Sequence, residues 1–178
     1  MSETDFAMHL NGFLARYLPG QRNLSTNTIA SYRDAIKLFL VFCETERRMK
    51  ADQICLSNIT PELIGEYLGW LERVRHCGIA TRNQRLAAFK SFFHYVAAVE
   101  PEQLLNCQRI LGLRMKKTSR GPMNFFSPEG LHLLLSQPDT TTQRGRRDHA
   151  LLVLLYDAAA RVQEIVDLRV RDLRLELP

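Results

Sequence analysis

Apolar residues recur at intervals of three and four through the first hundred positions, and only a few Pro and Gly residues interrupt them. A half-buried strand needs strict alternation. A period near 3.6 commits the chain to amphipathic helices packed face to face. Phe6, Leu10, Phe13, Leu14, Tyr17 and Leu18 form the first stripe, which Pro19-Gly20 is expected to end. Ser25 can cap a longer helix bearing Ile29, Tyr32, Ile36, Phe39 and Leu40. Thr60, Pro61 and Glu62 predict a third start, with a cap, a proline at the first helical position and an acid in the first turn. That helix carries Ile64, Tyr67, Leu68 and Leu71, and Glu62, Glu66 and Glu72 make it a solvent-facing scaffold rather than a contact for a polyanion. Leu86, Phe89, Phe93 and Val96 give the fourth stripe. Residues 1–100 therefore read as a four-helix bundle.

The period fades from Glu100-Pro101 to Pro122, where Arg114-Met115-Lys116-Lys117-Thr118-Ser119-Arg120 reads as an exposed basic linker. Ser127 and Pro128 then open a helix whose buried face is expected to be Leu131, Leu134 and Leu135. After a turn at Pro138–Thr142, a buried helix through Leu151–Tyr156 leads to Ala158-Ala159-Ala160 and Arg161. Arg174-Leu175-Glu176-Leu177 alternates, which suits the opening of a strand. Three regions follow: 1–100, a linker over 101–122, and 123–178.

Charge separates these regions. Residues 1–108 carry 12 Lys/Arg against 11 Asp/Glu, residues 109–147 carry 8 against 2, and residues 148–178 carry 4 against 6. The excess lies in the centre, as in a nucleic-acid binder or a solvated basic linker. Cys43, Cys55, Cys77 and Cys107 are scattered without a Cys-x-x-Cys pair, and the histidines are dispersed, so no metal site or cofactor is expected. The longest apolar run is too short to span a bilayer, and the acidic N-terminus has no signal-peptide pattern. A cytoplasmic protein without membrane contact or small-molecule substrate is the expectation.

Arg161 has two readings. The three alanines before it let the backbone approach a ligand closely, and a guanidinium offers a permanently charged planar fork suited to phosphate. The same arginine can instead pair with Glu164, three residues on along a helix.

The segments Arg147-Asp148-His149-Ala150-Leu151-Leu152, Arg161-Val162-Gln163-Glu164-Ile165 and Leu168-Arg169-Val170-Arg171-Asp172-Leu173 resemble the tyrosine recombinase (phage integrase) family at the start of its catalytic domain. Arg161 matches the first of two family arginines that hold the scissile phosphate, with Glu164 and Asp148 as structural neighbours. The departure is Ala159, where the family most often has glycine. Thr28-Ile29-Ala30-Ser31-Tyr32-Arg33 and the helix from Ala80 to Phe93 resemble the core-binding domain that closes over DNA opposite the catalytic domain. The resemblance implies a mainly α chain. A four-helix core-binding (SAM-like) bundle precedes the first helices of an α+β recombinase catalytic domain, which ends at its first strand.

The fourth helix opens with Arg82, Asn83, Arg85 and Lys90 and no acid, and Arg33 and Lys37 lie four apart on the second helix. These six, with Lys116, Lys117 and Arg120 of the linker, are the expected contacts to double-stranded DNA; solvated basic faces are the alternative. The family's lysine, His-x-x-Arg motif, further His or Trp and nucleophilic tyrosine all lie downstream of its first arginine, and this chain ends before them. No tyrosine here suits the role of nucleophile, so no strand cleavage by this chain alone is expected. Self-association on DNA should be weakened for the same reason. A helical protein–protein adaptor, or an inactive remnant of an interrupted recombinase gene, are the competing readings.

Overall fold

A computed structural model describes residues 4–118 and 125–172. The chain divides into two compact units, 1–119 and 120–178.

In the first unit, Thr4 Oγ1 accepts from the Ala7 N–H at 3.3 Å and starts α1 (Asp5–Gly12). The helix does not stop at Pro19. It continues as a π-helical segment, Phe13–Gln21, with Pro19 inside. Proline lacks an N–H and crowds the carbonyl four residues back, so the wider ladder accommodates it, and the Arg22 N–H reaches the Tyr17 carbonyl at 3.1 Å. Ser25 caps α2 (Thr26–Arg47) through the Thr28 N–H, as its position predicts. Thr60 caps α3 (Pro61–Arg73) through the Leu63 N–H, with Pro61 at the first helical position. The chain turns through His76, at φ 51°, into α4 (Ile79–Val99).

Two expectations need correction. α3 is not a solvent-facing scaffold: Leu63, Ile64, Tyr67, Leu68, Trp70 and Leu71 are all buried, while Glu62, Glu66 and Arg73 are exposed. The linker expected from residue 101 begins later, because α5 (Leu104–Leu111) packs on α3 and α4 and buries Cys107 and Ile110. The bundle thus has a fifth helix, and Asn106 Nδ2 ties it to the Ile59 carbonyl at 3.0 Å.

The core is aromatic. Phe39 meets Tyr67 and Phe89 edge-on at centroid distances of 5.4 and 5.1 Å, and Phe92 meets Phe6 and Phe13 at 5.7 and 5.4 Å. Such pairs add roughly 0.5–1.5 kcal/mol each beyond the area they bury. Buried Tyr67 satisfies its hydroxyl by donating to the Ala35 carbonyl at 3.1 Å, and burial holds its phenol well above the usual range. Burial likewise pushes the Cys43 thiol up to about 11.

The second unit contains α6 (Pro128–Leu135), α7 (Gln143–Asp157) and α8 (Val162–Val166). Ser127 caps α6 through the Gly130 N–H, as expected. The buried faces expected here are not formed. Leu131 and Leu135 are half-exposed and Leu134 is exposed, while Tyr156, expected on a buried helix, is 57% exposed. Among the described residues of this unit only Gly145 and Ile165 are buried. Gly145 lies beneath the turn before α7, where a Cβ would run into the Asp139 carbonyl. The strand expected at Arg174–Leu177 falls outside the described residues.

Candidate nucleic-acid interface

The basic residues expected to contact DNA fall into three environments. The first lies where the N-terminal turns of α4 meet the segment after α5. Asn83 makes two bonds to one backbone position: its Nδ2 donates to the Lys116 carbonyl at 2.7 Å, and its Oδ1 accepts from the Lys116 N–H at 3.0 Å. Lys116 Nζ lies 2.8 Å from each carboxylate oxygen of Glu72, near the end of α3. Arg82 Nε is 3.7 Å from the same carboxylate, and the Arg82 side chain is only 12% exposed. Arg85 turns inward and donates from Nη1 to the Ser31 carbonyl on α2 at 3.2 Å. Buried Nε atoms of both arginines lack a hydrogen-bond partner among the described residues. Arg82, Asn83, Arg85 and Lys116 therefore fasten the bundle together. One carboxylate, Glu72, balances two of the cations.

The second environment spans exposed positions of α2 and a cleft beside α4. Lys37 is exposed and has no carboxylate partner among the described residues. Arg33, also exposed, has only its neighbour Asp34 at 4.0 Å. Lys90, on α4, borders a solvent-open cleft of about 600 Å³ together with Tyr17, Arg22, Tyr32, His94 and Met115. Neither Arg22, Lys90 nor His94 has an ion-pair partner among the described residues, and no described acid lines the cleft. Sequence reasoning missed Arg22 and His94. The spacing of His94 four residues past Lys90 was a usable signal, since such residues share a helix face. Arg22, after Pro19-Gly20, was hidden by the assumption that the helix stops there. Exposed Lys117 has no partner among the described residues, and Arg120 lies outside them.

The third environment surrounds Arg161. Its N–H donates to Glu164 Oε2 at 2.8 Å and its Nη1 to Glu164 Oε1 at 2.9 Å, so Glu164 closes the start of α8 from the third helical position. The backbone bond and then the side-chain bond hold the Glu164 carboxyl below its usual range. The Arg161 side chain is 86% exposed, leaving its other donors open to solvent. The ion pairs of Asp148 go instead to Arg147 at 2.6 Å and Arg144 at 3.8 Å. Ala159, two residues before Arg161, has φ 47°, in the left-handed region that favours glycine.

Among the described residues no group of three or more His, Cys, Asp or Glu side chains could hold a metal ion, and no helix is long and apolar enough to cross a membrane.

A five-helix bundle whose unpaired cations gather beside two packed helices defines a small basic helical domain. The chain belongs to the tyrosine recombinase (phage integrase) family: residues 10–99 match the family profile described as the phage integrase N-terminal SAM-like domain. It is similar to a protein named integrase/recombinase y4rD from Sinorhizobium fredii, with 38% identity over 167 residues, covering 94% of this chain and 59% of that protein. A second Sinorhizobium fredii protein, named integrase/recombinase y4rC, is 36% identical over 92% of this chain and 49% of its own length. A tyrosine recombinase XerD from Listeria innocua is 26% identical over 90% of this chain and 52% of its own length. The chain thus spans about half to three-fifths of the length of these relatives. No solved structure matches it.

Proposed function

We propose that this chain is a DNA-binding portion of a site-specific tyrosine recombinase. The observation that carries the reading is the sorting of cations within a bundle of this family. Arg82 and Lys116 are neutralised by Glu72, whereas Arg22, Lys37 and Lys90 have no carboxylate partner among the described residues. Cations without counter-ions on a rigid surface favour a polyanion, and a duplex offers regularly spaced phosphates. Lys117 and Arg120 would add phosphate contacts that raise affinity without reading sequence. Arg161 would hold a phosphate through donors not already bonded to Glu164.

The test is fluorescence anisotropy of labelled duplex DNA at several salt concentrations. Several engaged phosphates should give a log–log slope of several units, since each contributes about 0.9. A folded sample that leaves anisotropy flat at low salt would remove the reading.

Strand cleavage is proposed to be beyond this 178-residue chain. Tyr17, Tyr32, Tyr67 and Tyr95 belong to the helical bundle, and Tyr67 is fixed to Ala35; Tyr156 is on α7, ahead of Arg161. Incubation with nicked duplex should yield no covalent protein–DNA adduct on a denaturing gel. An adduct at any tyrosine would overturn this part of the proposal.

A further inference from the structure

The cleft bordered by Arg22 and Lys90 has a feature that a plain basic surface lacks: one wall comes from the segment leaving the bundle. Met115 lines it, and the next residue, Lys116, is held through both backbone groups by Asn83 and through its ammonium by Glu72. The floor is equally fixed. Tyr17 and Tyr32 lie near-parallel to buried Phe13, at centroid distances of 5.9 and 6.3 Å and interplanar angles of 21° and 3°. Arg22 is positioned by the π-helical end of the first helix, through its own N–H to the Tyr17 carbonyl. Two permanent cations and an imidazole thus face a concave space whose walls are pinned on three sides.

We propose that this cleft is a seat for a single phosphodiester group of the DNA backbone, held by Arg22 and Lys90. Its Met115 wall is kept in place by the Asn83–Lys116–Glu72 junction. The inference rests on the DNA-binding reading above and deepens it by naming the residues that grip the strand. It also assigns opposite roles to neighbouring basic residues. Arg22 and Lys90 touch phosphate, while Lys116 acts through the position of Met115 and Asn83 is a positioning residue. A concave seat of about 600 Å³ admits a phosphate with its flanking sugars, whereas a flat basic surface would leave the same cations free to move.

The experiment is the same salt-dependent anisotropy titration, applied to the full chain carrying Arg22→Gln with Lys90→Met. These substitutions keep the first atoms of each side chain and remove its charge. Lys50→Ala serves as a control for the loss of an exposed lysine outside the cleft. Circular dichroism confirms that each variant is folded, and the single variants Arg22→Gln and Lys90→Met replace the double one if it is not. The expected result is a salt slope lowered by about 0.9 for a seat shared as one phosphate contact, or up to about twice that if the two cations release counter-ions separately. Affinity at low salt should fall by at least tenfold, and Lys50→Ala should change the slope by less than the cleft variants do. Asn83→Ala, which frees the wall but removes no charge, should weaken binding with the slope unchanged. Wild-type slope and affinity in the Arg22/Lys90 variants would overturn the seat and leave DNA binding intact. Failure of the wild-type protein to bind would overturn the functional reading itself.

Discussion

Ala159 occupies a conformation that its side chain resists. At φ 47° its Cβ crowds the following carbonyl, a cost of roughly 1–2 kcal/mol that glycine does not incur. Glycine loses more backbone freedom on folding, which returns roughly 0.5–1 kcal/mol of that difference. Ala159→Gly should therefore stabilise the turn between α7 and α8 by about 0.5–1 kcal/mol. Slower amide exchange at Ile165, Val166 and Asp167 would register the gain; unchanged or faster exchange would mean that strain at Ala159 does not limit the turn. The family resemblance singled out this position as one where glycine is usual, and the backbone angle supplies the physical reason. At Arg161, two roles were open from spacing alone. The bond to Glu164 is present, yet it uses only one guanidinium nitrogen and the backbone N–H, so it does not preclude a phosphate on the remaining donors.

At the scale of elements, α5 decides where the bundle ends. Cys107 and Ile110 are fully buried, so Ile110→Ala should cost roughly 2–5 kcal/mol, as large-to-small changes in close-packed cores do. Urea denaturation of the bundle measures it. A cost below about 0.5 kcal/mol, the usual size of a surface change, would return this stretch to the linker. The caps at Ser25, Thr60 and Ser127 were legible in the sequence because each motif is complete within four residues. α5 was not, because Pro101 interrupts the period and a helix of eight residues offers only a couple of buried positions from which to read a stripe. The pairing of Glu72 with Lys116 was also invisible, since a contact across 44 positions leaves no local pattern. For that reason the counts of acid and base along the chain overstated how many cations near the linker are free. Which helices carry the basic residues was legible, but the division of their cations into fasteners and free charges needed the fold.

The two units of the molecule are unequal in what holds them. The first has a continuous aromatic core from Phe6 to Ile110, while the second has only Gly145 and Ile165 buried among its described residues. Apolar burial contributes roughly 25 cal/mol per Å², and ordering a residue costs roughly 1–2 kcal/mol, so a unit in which Ile165 is the one large buried side chain among the described residues has little to offset its ordering. Phe125, Leu133, Val162 and Val166, all more than 60% exposed, contribute almost nothing in this state. Residues 1–118 expressed alone should therefore melt cooperatively, at a midpoint within a few degrees of that of the bundle in the full chain. Limited proteolysis of the full chain should cut first beyond residue 118. A fragment that melts far lower, or a full chain cut first inside α1 to α5, would mean that the second unit stabilises the first. If the expected result holds, DNA affinity and second-unit stability become separable measurements. Binding by residues 1–118 would then report on the bundle's own phosphates, and any gain in the full chain would belong to residues 119–178, Arg120 and Arg161 among them.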